Sequence, residues 1–450
     1  MSHFAGLRLS KWRQFENVDI NLGAQTTILT GANGCGKTSI LTVLSHHFGW
    51  HVNFVATPYT SKKDKKRIFS EFAHFLEYPP RDLSATVPSD VDDGLVAQDS
   101  INGPKDGRDQ EHQDSYLDLA VDHTAQEVGE VAYSNGTTCK LVSPNRTAQA
   151  AQYQLQYSSM QGIVGMYIPS HRPATSYHSV GQIPTDPKTT AQQYQEFQQL
   201  LLQGAQGGNI RNPGGVMKQS LIALALFGYG NQAVVENADY RNLFESFQEV
   251  LRKLLPKKLG FRKLEIRMPE VVLITDSGQF ALDAMSGGIN ALFTIAWQIQ
   301  MFTWDKDNCT VLIDEPENHL HPSMQRSLLP ALADAFPKFR FVIASHSPFI
   351  VASDQNANVF ALTHNENRRI ESTHLESADL AASPDTVLRE ILEVPNTMPI
   401  WVEGKLHQAL AEFKEQANDP SALDRLFTRL KDLGLNDSLA YLPSTGSFKK

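Results

Sequence analysis

Gly31-Ala32-Asn33-Gly34-Cys35-Gly36-Lys37-Thr38 follows a short apolar run at 27–29 and precedes a second apolar stretch at 39–48. The octapeptide fits G-x-x-x-x-G-K-[ST], and a strand before it and a helix after it supply the setting in which that pattern has meaning. Glycines let successive backbone N–H groups turn inward around phosphate oxygens, a lysine neutralises the β- and γ-oxygens, and a Thr hydroxyl can ligand Mg²⁺. A chance glycine-rich turn would match in a chain this long at a rate on the order of a per cent. Gly31, Asn33, Gly34, Cys35, Gly36, Lys37, Thr38 and Ser39 are therefore the candidate contacts of a nucleoside triphosphate, ATP or GTP. Strand-like segments at 4–9 and 18–22 complete the opening of an α/β nucleotide-binding domain.

Further along, the chain offers a second half for the same site. Val311-Leu312-Ile313-Asp314-Glu315-Pro316 is an apolar strand ending in two carboxylates. That pattern suits Mg²⁺ coordination by Asp314 and polarisation of an attacking water by Glu315. In isolation it would read as a buried strand running into a solvated acidic turn; beside a phosphate loop the catalytic reading is favoured. Met285-Ser286-Gly287-Gly288 opens a helical run over 289–302. A hydroxyl, bare backbone N–H groups and the positive end of a helix dipole suit a γ-phosphate at Ser286, Gly287 and Gly288. Ser-Gly-Gly alone is also just a flexible turn, and its position ahead of the acidic pair is what gives it weight. Ser345-His346-Ser347 follows the strand-like 341–344, so His346 stands at a strand end where it can contact a γ-phosphate.

The rest of the sequence sets the frame. At 450 residues, 41% hydrophobic and 20% charged, the chain has room for about three domains and a conventional core, which excludes a disordered, collagenous or coiled-coil protein. No run of about 18 uncharged apolar residues occurs and the N-terminus lacks a signal-peptide core, so no membrane contact and a cytoplasmic location are expected. Cys35, Cys139 and Cys309 are odd in number and lack metal-ligand spacing, which predicts free thiols. A net charge of −9 argues against a generally basic nucleic-acid coat.

The expected organisation is an N-terminal lobe (1–56 and 161–185), an insertion of loop and hairpin (57–160), a helical insertion (186–260), a C-terminal lobe (261–395) and a closing segment (396–450). Asn135-Gly136 between apolar runs predicts a hairpin with a type I′ turn. The cluster Lys62, Lys63, Lys65, Lys66, Arg67 reads first as a solvated face and second as a DNA contact.

Together these residues resemble the ABC-type ATPase heads of the RecF/SMC class, and more closely the AAA-family ATPases of the overcoming-lysogenisation-defect (OLD) type in anti-phage defence. The resemblance implies an α/β fold: a P-loop NTPase head of the ABC type, a mixed sheet with helices. It implies Walker A at 31–38, the signature motif at 285–288, Walker B at Asp314 and Glu315, a D-loop at 318–322 and a switch histidine at His346, with Lys37, Glu315 and His346 as catalytic residues, Thr38 and Asp314 as metal ligands, and ATP and Mg²⁺ as cofactors. It covers roughly 1–50, 161–172 and 261–350. Two departures stand out. No Q-loop glutamine is evident, so that role stays unassigned, with His171 and Arg172 as the candidates, and the signature reads AMSGG instead of LSGGQ. In such heads the signature of one protomer closes over the nucleotide of another, which implies a homodimer with ATP sandwiched between heads, an effector nuclease subunit or DNA as further partners, and a role in DNA maintenance or phage defence. The closing segment, with Pro399-Ile400-Trp401-Val402-Glu403-Gly404 as a strand ending in a carboxylate, resembles the first half of a Toprim domain. One carboxylate cannot build a two-metal nuclease centre, so no DNA cleavage by this chain alone is expected. The competing readings are a nucleotide-clamped scaffold with little hydrolysis and an incomplete Toprim nuclease.

Overall fold

Residues 26–30 are buried at every position, as befits a strand covered on both faces in a parallel sheet. The computed structural model describes residues 2–60, 67–70, 125–144, 151–172, 177, 179–183, 188–205, 213–376 and 384–392, with 401–402, 404–405, 408, 411, 413 and 422–432. The chain divides into two compact units, Met1–Val387 with Ile391–Glu393, and Leu388–Glu390 with Val394–Lys450.

The strands of the first unit are β1 (Phe4–Trp12), β2 (Phe15–Asn21), β3 (Thr26–Thr30), β4 (Phe54–Val55), β5 (Thr57–Thr60), β6 (Arg67–Ser70), β7 (Gln126–Tyr133), β8 (Thr138–Ser143), β9 (Gln152–Tyr153), β10 (Gln156–Ser158), β11 (Gly165–Ile168), β12 (Phe261–Arg267), β13 (Glu270–Thr275), β14 (Gly278–Ala281), β15 (Thr310–Asp314), β16 (Arg340–Ala344), β17 (Asn358–His364) and β18 (Ile370–Leu375). Eleven of them form one sheet in the order β10-β8-β7-β1-β2-β18-β17-β3-β16-β15-β11. The run β17-β3-β16-β15-β11 is parallel, and the β2-β1-β7-β8-β10 half is antiparallel. This is the mixed α/β sheet that the motifs imply.

Three expectations change here. The hairpin β7–β8 is not a separate appendage: β7 pairs with β1, Arg8 opposite Glu130, so it widens the main sheet. Its turn is not of type I′, because Gly136 takes φ 81° while Asn135 is not left-handed and instead accepts a bond from the Thr137 N–H at 3.1 Å. In the second unit Trp401, Val402, Gly404 and Lys405 are helical where a strand was expected. A short apolar run does not distinguish strand from helix by periodicity, and the exposure of Trp401 beside buried Val402 fits either. Glu403 and the lysines at 62, 63, 65 and 66 lie outside the described residues.

Helices α1 (Lys37–Ser45), α2 (Thr190–Ala205), α3 (Pro213–Tyr229), α4 (Ala238–Leu254), α5 (Gly287–Thr303), α6 (Pro322–Ala335) and α7 (Pro348–Val351) accompany the sheet, and α8 (Ala422–Asp432) lies in the second unit. α5 has no charged residue and is buried on almost every side, as a central helix must be. The helical insertion packs on it through Phe197 against Trp297 (5.2 Å between ring centroids), Tyr194 against Phe302 (4.9 Å) and Phe247 against Phe293 (5.2 Å). α4 starts where the Asn237 side chain accepts the N–H groups of Asp239 and Tyr240. Lys218 of α3 is fully buried and reaches Glu270 at 2.5 Å and Asp283 at 2.7 Å, beneath the Tyr177 ring at 5.0 Å. Burial alone would lower its pKa; the bonds to the two carboxylates outweigh burial and raise it.

Candidate functional site

The sheet register assembles the site. Asp314 of β15 pairs with Ala344 of β16, which pairs with Leu29 of β3, while Ile168 of β11 pairs with Ile313. The loops leaving these strands, which begin at Gly31, Glu315, Ser345 and Pro169, therefore emerge on one edge of the sheet, where α/β folds bind ligands.

Gly31, Gly34 and Gly36 take φ of 138°, 87° and 94°. A Cβ at Gly31 would lie 2.4 Å from the Leu362 carbonyl oxygen, and one at Gly36 would lie 2.4 Å from Phe15 Cζ, so both strain and space require glycine. Gly36 begins α1 with no side-chain cap, which leaves the N-terminal amides and the positive dipole end for an anion. Lys37 is buried and its Nζ donates to Gly31 O at 2.9 Å and Ala32 O at 3.0 Å. It arches over the loop, with the buried Cys35 Sγ 3.7 Å away. Asn33, Gly34 and Thr38 are exposed and Ser39 is half-buried.

Thr38 Oγ1 donates to Asp314 Oδ2 at 2.9 Å across 276 residues of sequence. Tyr167 Oη is 3.5 Å from the same oxygen, whereas Asp314 Oδ1 is buried without a hydrogen-bond partner. Burial pushes the Asp314 pKa up to about 6; Glu315 and Glu317 add to the rise, and the Thr38 bond and Lys37 oppose it. A buried carboxylate with one bare oxygen beside an exposed threonine hydroxyl has the donor chemistry for Mg²⁺, and the glycine cradle fits a triphosphate.

Glu315 has φ 45°, a strained value for this residue. It is fixed by its N–H to Ala344 O at 2.8 Å and by Asn318 Nδ2, which donates to its Oε2 at 3.1 Å. Arg172 binds the main chain of the acidic strand end, Nη2 to Asp314 O (3.3 Å) and Glu315 O (3.0 Å), and Nη1 to Pro316 O (3.4 Å). Burial of the guanidinium lowers its pKa to about 10 against the attraction of Glu317, Asp314 and Glu315. Arg172 thus grips the acidic loop through its backbone, and His171 is exposed.

His346 is partly exposed, with Nδ1 3.6 Å from Glu315 Oε1 and 3.4 Å from Glu317 Oε1. The structure therefore brings Lys37, Thr38, Asp314, Glu315 and His346 to one edge. Ser286 begins α5 with no side-chain cap bond. Its neighbours Gly287 and Gly288 lie against His319, where a Cβ on Gly288 would come 2.9 Å from the His319 carbonyl oxygen. The signature thus abuts the 318–322 loop of its own chain. Sequence reasoning missed Glu317 and Gln14, whose Nε2 reaches Gly34 O at 3.4 Å. A third acidic residue so soon after an apolar strand was the one available signal for Glu317.

Residues 276–352 match the family described as "AAA domain, putative AbiEii toxin, Type IV TA system", and residues 7–71 match one described as "AAA domain". The chain is similar to the "Retron Ec83 probable ATPase" of Escherichia coli, 26% identical over 178 residues that cover 37% of this chain and 31% of that protein. It is also similar to the Septu protein PtuA of Bacillus mycoides (strain KBAB4), 25% identical over 173 residues covering 37% of this chain and 23% of that protein. The chain thus spans less than a third of the length of these relatives. Among solved structures, the SMC head domain from Thermotoga maritima aligns with a TM-score of 0.40 at 13% identity, covering 83% of this chain and 99% of that one. The phosphate loop thus lies inside one AAA-domain match, and Ser286, the acidic pair and His346 lie inside the other.

Proposed function

We propose that this head binds ATP with Mg²⁺ and hydrolyses it, and that it does so as a homodimer, acting as a switch over an effector nuclease in anti-phage defence or DNA maintenance. The observation that carries the reading is the Thr38–Asp314 hydrogen bond at 2.9 Å, which joins the two motifs at the point where a metal would be shared. In this assignment the loop amides from 31 to 38 and Lys37 cradle the phosphates, and Thr38 with Asp314 holds the metal. Mg²⁺ held by Thr38 and Asp314 would supply neutralisation of the charge on the phosphates. Glu315 takes the proton of the attacking water, and His346 faces the same edge and steadies the γ-phosphate. Ser286, Gly287 and Gly288 serve the partner's nucleotide. The defence role is supported by the likeness to OLD-type ATPases and by the similarity to an ATPase named for a retron. Nuclease chemistry is assigned to a separate effector, and DNA to the role of trigger.

Steady-state ATP turnover by the purified protein, with and without duplex DNA, tests this. Wild type should turn over with Mg²⁺, and Glu315→Gln should bind ATP yet lose about 10²- to 10⁴-fold in kcat, the usual contribution of a general base. Nucleotide binding by wild type without turnover would replace the hydrolase by a nucleotide-clamped scaffold. Stimulation by DNA would support a DNA trigger, and its absence would remove DNA from the scheme.

A further inference from the structure

The acidic loop carries a third carboxylate for which the reaction above has no use. Glu317 is 5% exposed, deep for an anion, and the buried Arg172 guanidinium is its charge neighbour. Its Oε1 accepts the Ser345 hydroxyl at 2.7 Å and the His346 backbone N–H at 2.9 Å. The His346 Nδ1 lies 3.4 Å from that same oxygen, within ion-pair reach though beyond a well-formed hydrogen bond. Glu317 Oε2 is buried with no hydrogen-bond partner. A buried carboxylate with a bare oxygen costs stability, so a role confined to packing is a poor account of this residue.

We propose, resting on the ATPase reading, that Glu317 is the positioning residue for His346. It clamps the end of β16 through two donors and turns ring Nδ1–H toward the acidic loop, which leaves Nε2 as the ring nitrogen available to the nucleotide. The partial exposure of the His346 side chain, 43%, agrees with one nitrogen turned inward and the other outward. Glu315 stands on the same side of the ring at 3.6 Å, so Glu317 also keeps the histidine and the proposed base in one unit. The negative charge is the operative feature: a neutral amide oxygen can accept from Ser345 and from the His346 N–H, but it attracts the ring N–H about half as strongly.

The test uses Glu317→Gln, Ser345→Ala, His346→Ala and the double variant Glu317→Gln/His346→Ala in the full chain, reading kcat, KM for ATP, equilibrium binding of a fluorescent ATP analogue, and melting temperature. Glu317→Gln should keep KM and analogue affinity within about twofold while kcat falls on the order of tenfold, the effect expected of a residue that orients another. The double variant should be no slower than His346→Ala alone, because a residue that acts through the histidine has no effect once the ring is gone. Ser345→Ala, which removes one donor to the same oxygen, should lower kcat by a smaller factor that His346→Ala again absorbs; it decides the matter if Glu317→Gln does not fold. Losses that multiply in the double variant, or a rise in KM and fall in analogue affinity that account for the whole defect, would overturn the proposal while leaving the ATPase reading intact. Wild type that binds the analogue but never turns it over would instead sink the ATPase reading, and this proposal with it.

Discussion

Asp314 concentrates the conflict on which the site depends. A carboxylate 1% exposed, with one bare oxygen and two other acids beside it, is driven toward its protonated form, hence the pKa of about 6. Because the folded value lies above the ordinary one, the stabilisation is fully present below the ordinary carboxylate pKa and is lost as pH rises through 6. Without metal, the melting temperature of wild type should therefore fall between pH 4 and 7 by more than that of Asp314→Asn, as scanned by calorimetry; parallel profiles would mean that Asp314 is not the strained group. A divalent cation favours the charged form and should reverse this trend in wild type only.

At the scale of elements, the phosphate-loop helix is tied to the antiparallel half of the sheet by His47, in the turn that follows α1. Its Nδ1–H donates to Leu44 O at 3.2 Å and its Nε2 accepts from Tyr133 Oη of β7 at 2.8 Å, so the ring is neutral with a defined tautomer. Phe4 stands edge-on to it at 5.0 Å. Burial, more than the neighbouring His46, lowers its pKa to about 4, although the Leu44 bond opposes the shift. A depressed value means stability that is present above the ordinary histidine pKa and is lost as pH falls toward 4. His47→Gln should flatten that acid limb in a thermal melt, and an unchanged limb would place the acid sensitivity elsewhere.

Between elements, Lys218 links the helical insertion to the turn that launches the signature helix. Removing one partner of a buried ion pair leaves uncompensated charge, which costs about 3–5 kcal/mol. Lys218→Met should thus lower the chemical-denaturation midpoint markedly, whereas a shift within about 0.5 kcal/mol, typical of surface sites, would show that the two carboxylates find other partners.

At the scale of the whole molecule, Gly287 and Gly288 contact His319 of their own chain, the residue after Asn318, which bonds Glu315. If two heads close on ATP, Ser286→Arg should leave ATP affinity within about threefold and abolish both turnover and ATP-dependent dimerisation in light scattering. Wild-type turnover by that variant would exclude a shared site.

Local chemistry made much of this readable from residue order. A left-handed glycine, an apolar strand ending in acids and a Ser-Gly-Gly before a helix are each properties of a few consecutive residues, so the 31–38 loop, Asp314, Glu315, Ser286 and His346 could be named without coordinates. β17 and β18 were missed because short apolar runs declare neither their type nor their neighbour, and the hairpin β7–β8 looked like an insertion because pairing with β1 is a long-range event. Trp401 and Val402 read as strand for the same reason. The sequence by itself determined which groups could meet a phosphate and a metal. Only the tertiary structure decided that Thr38 bonds Asp314 and that Glu317 is buried against Ser345 and His346, since strand register, which no local pattern encodes, sets which loop ends come together and what is left without water.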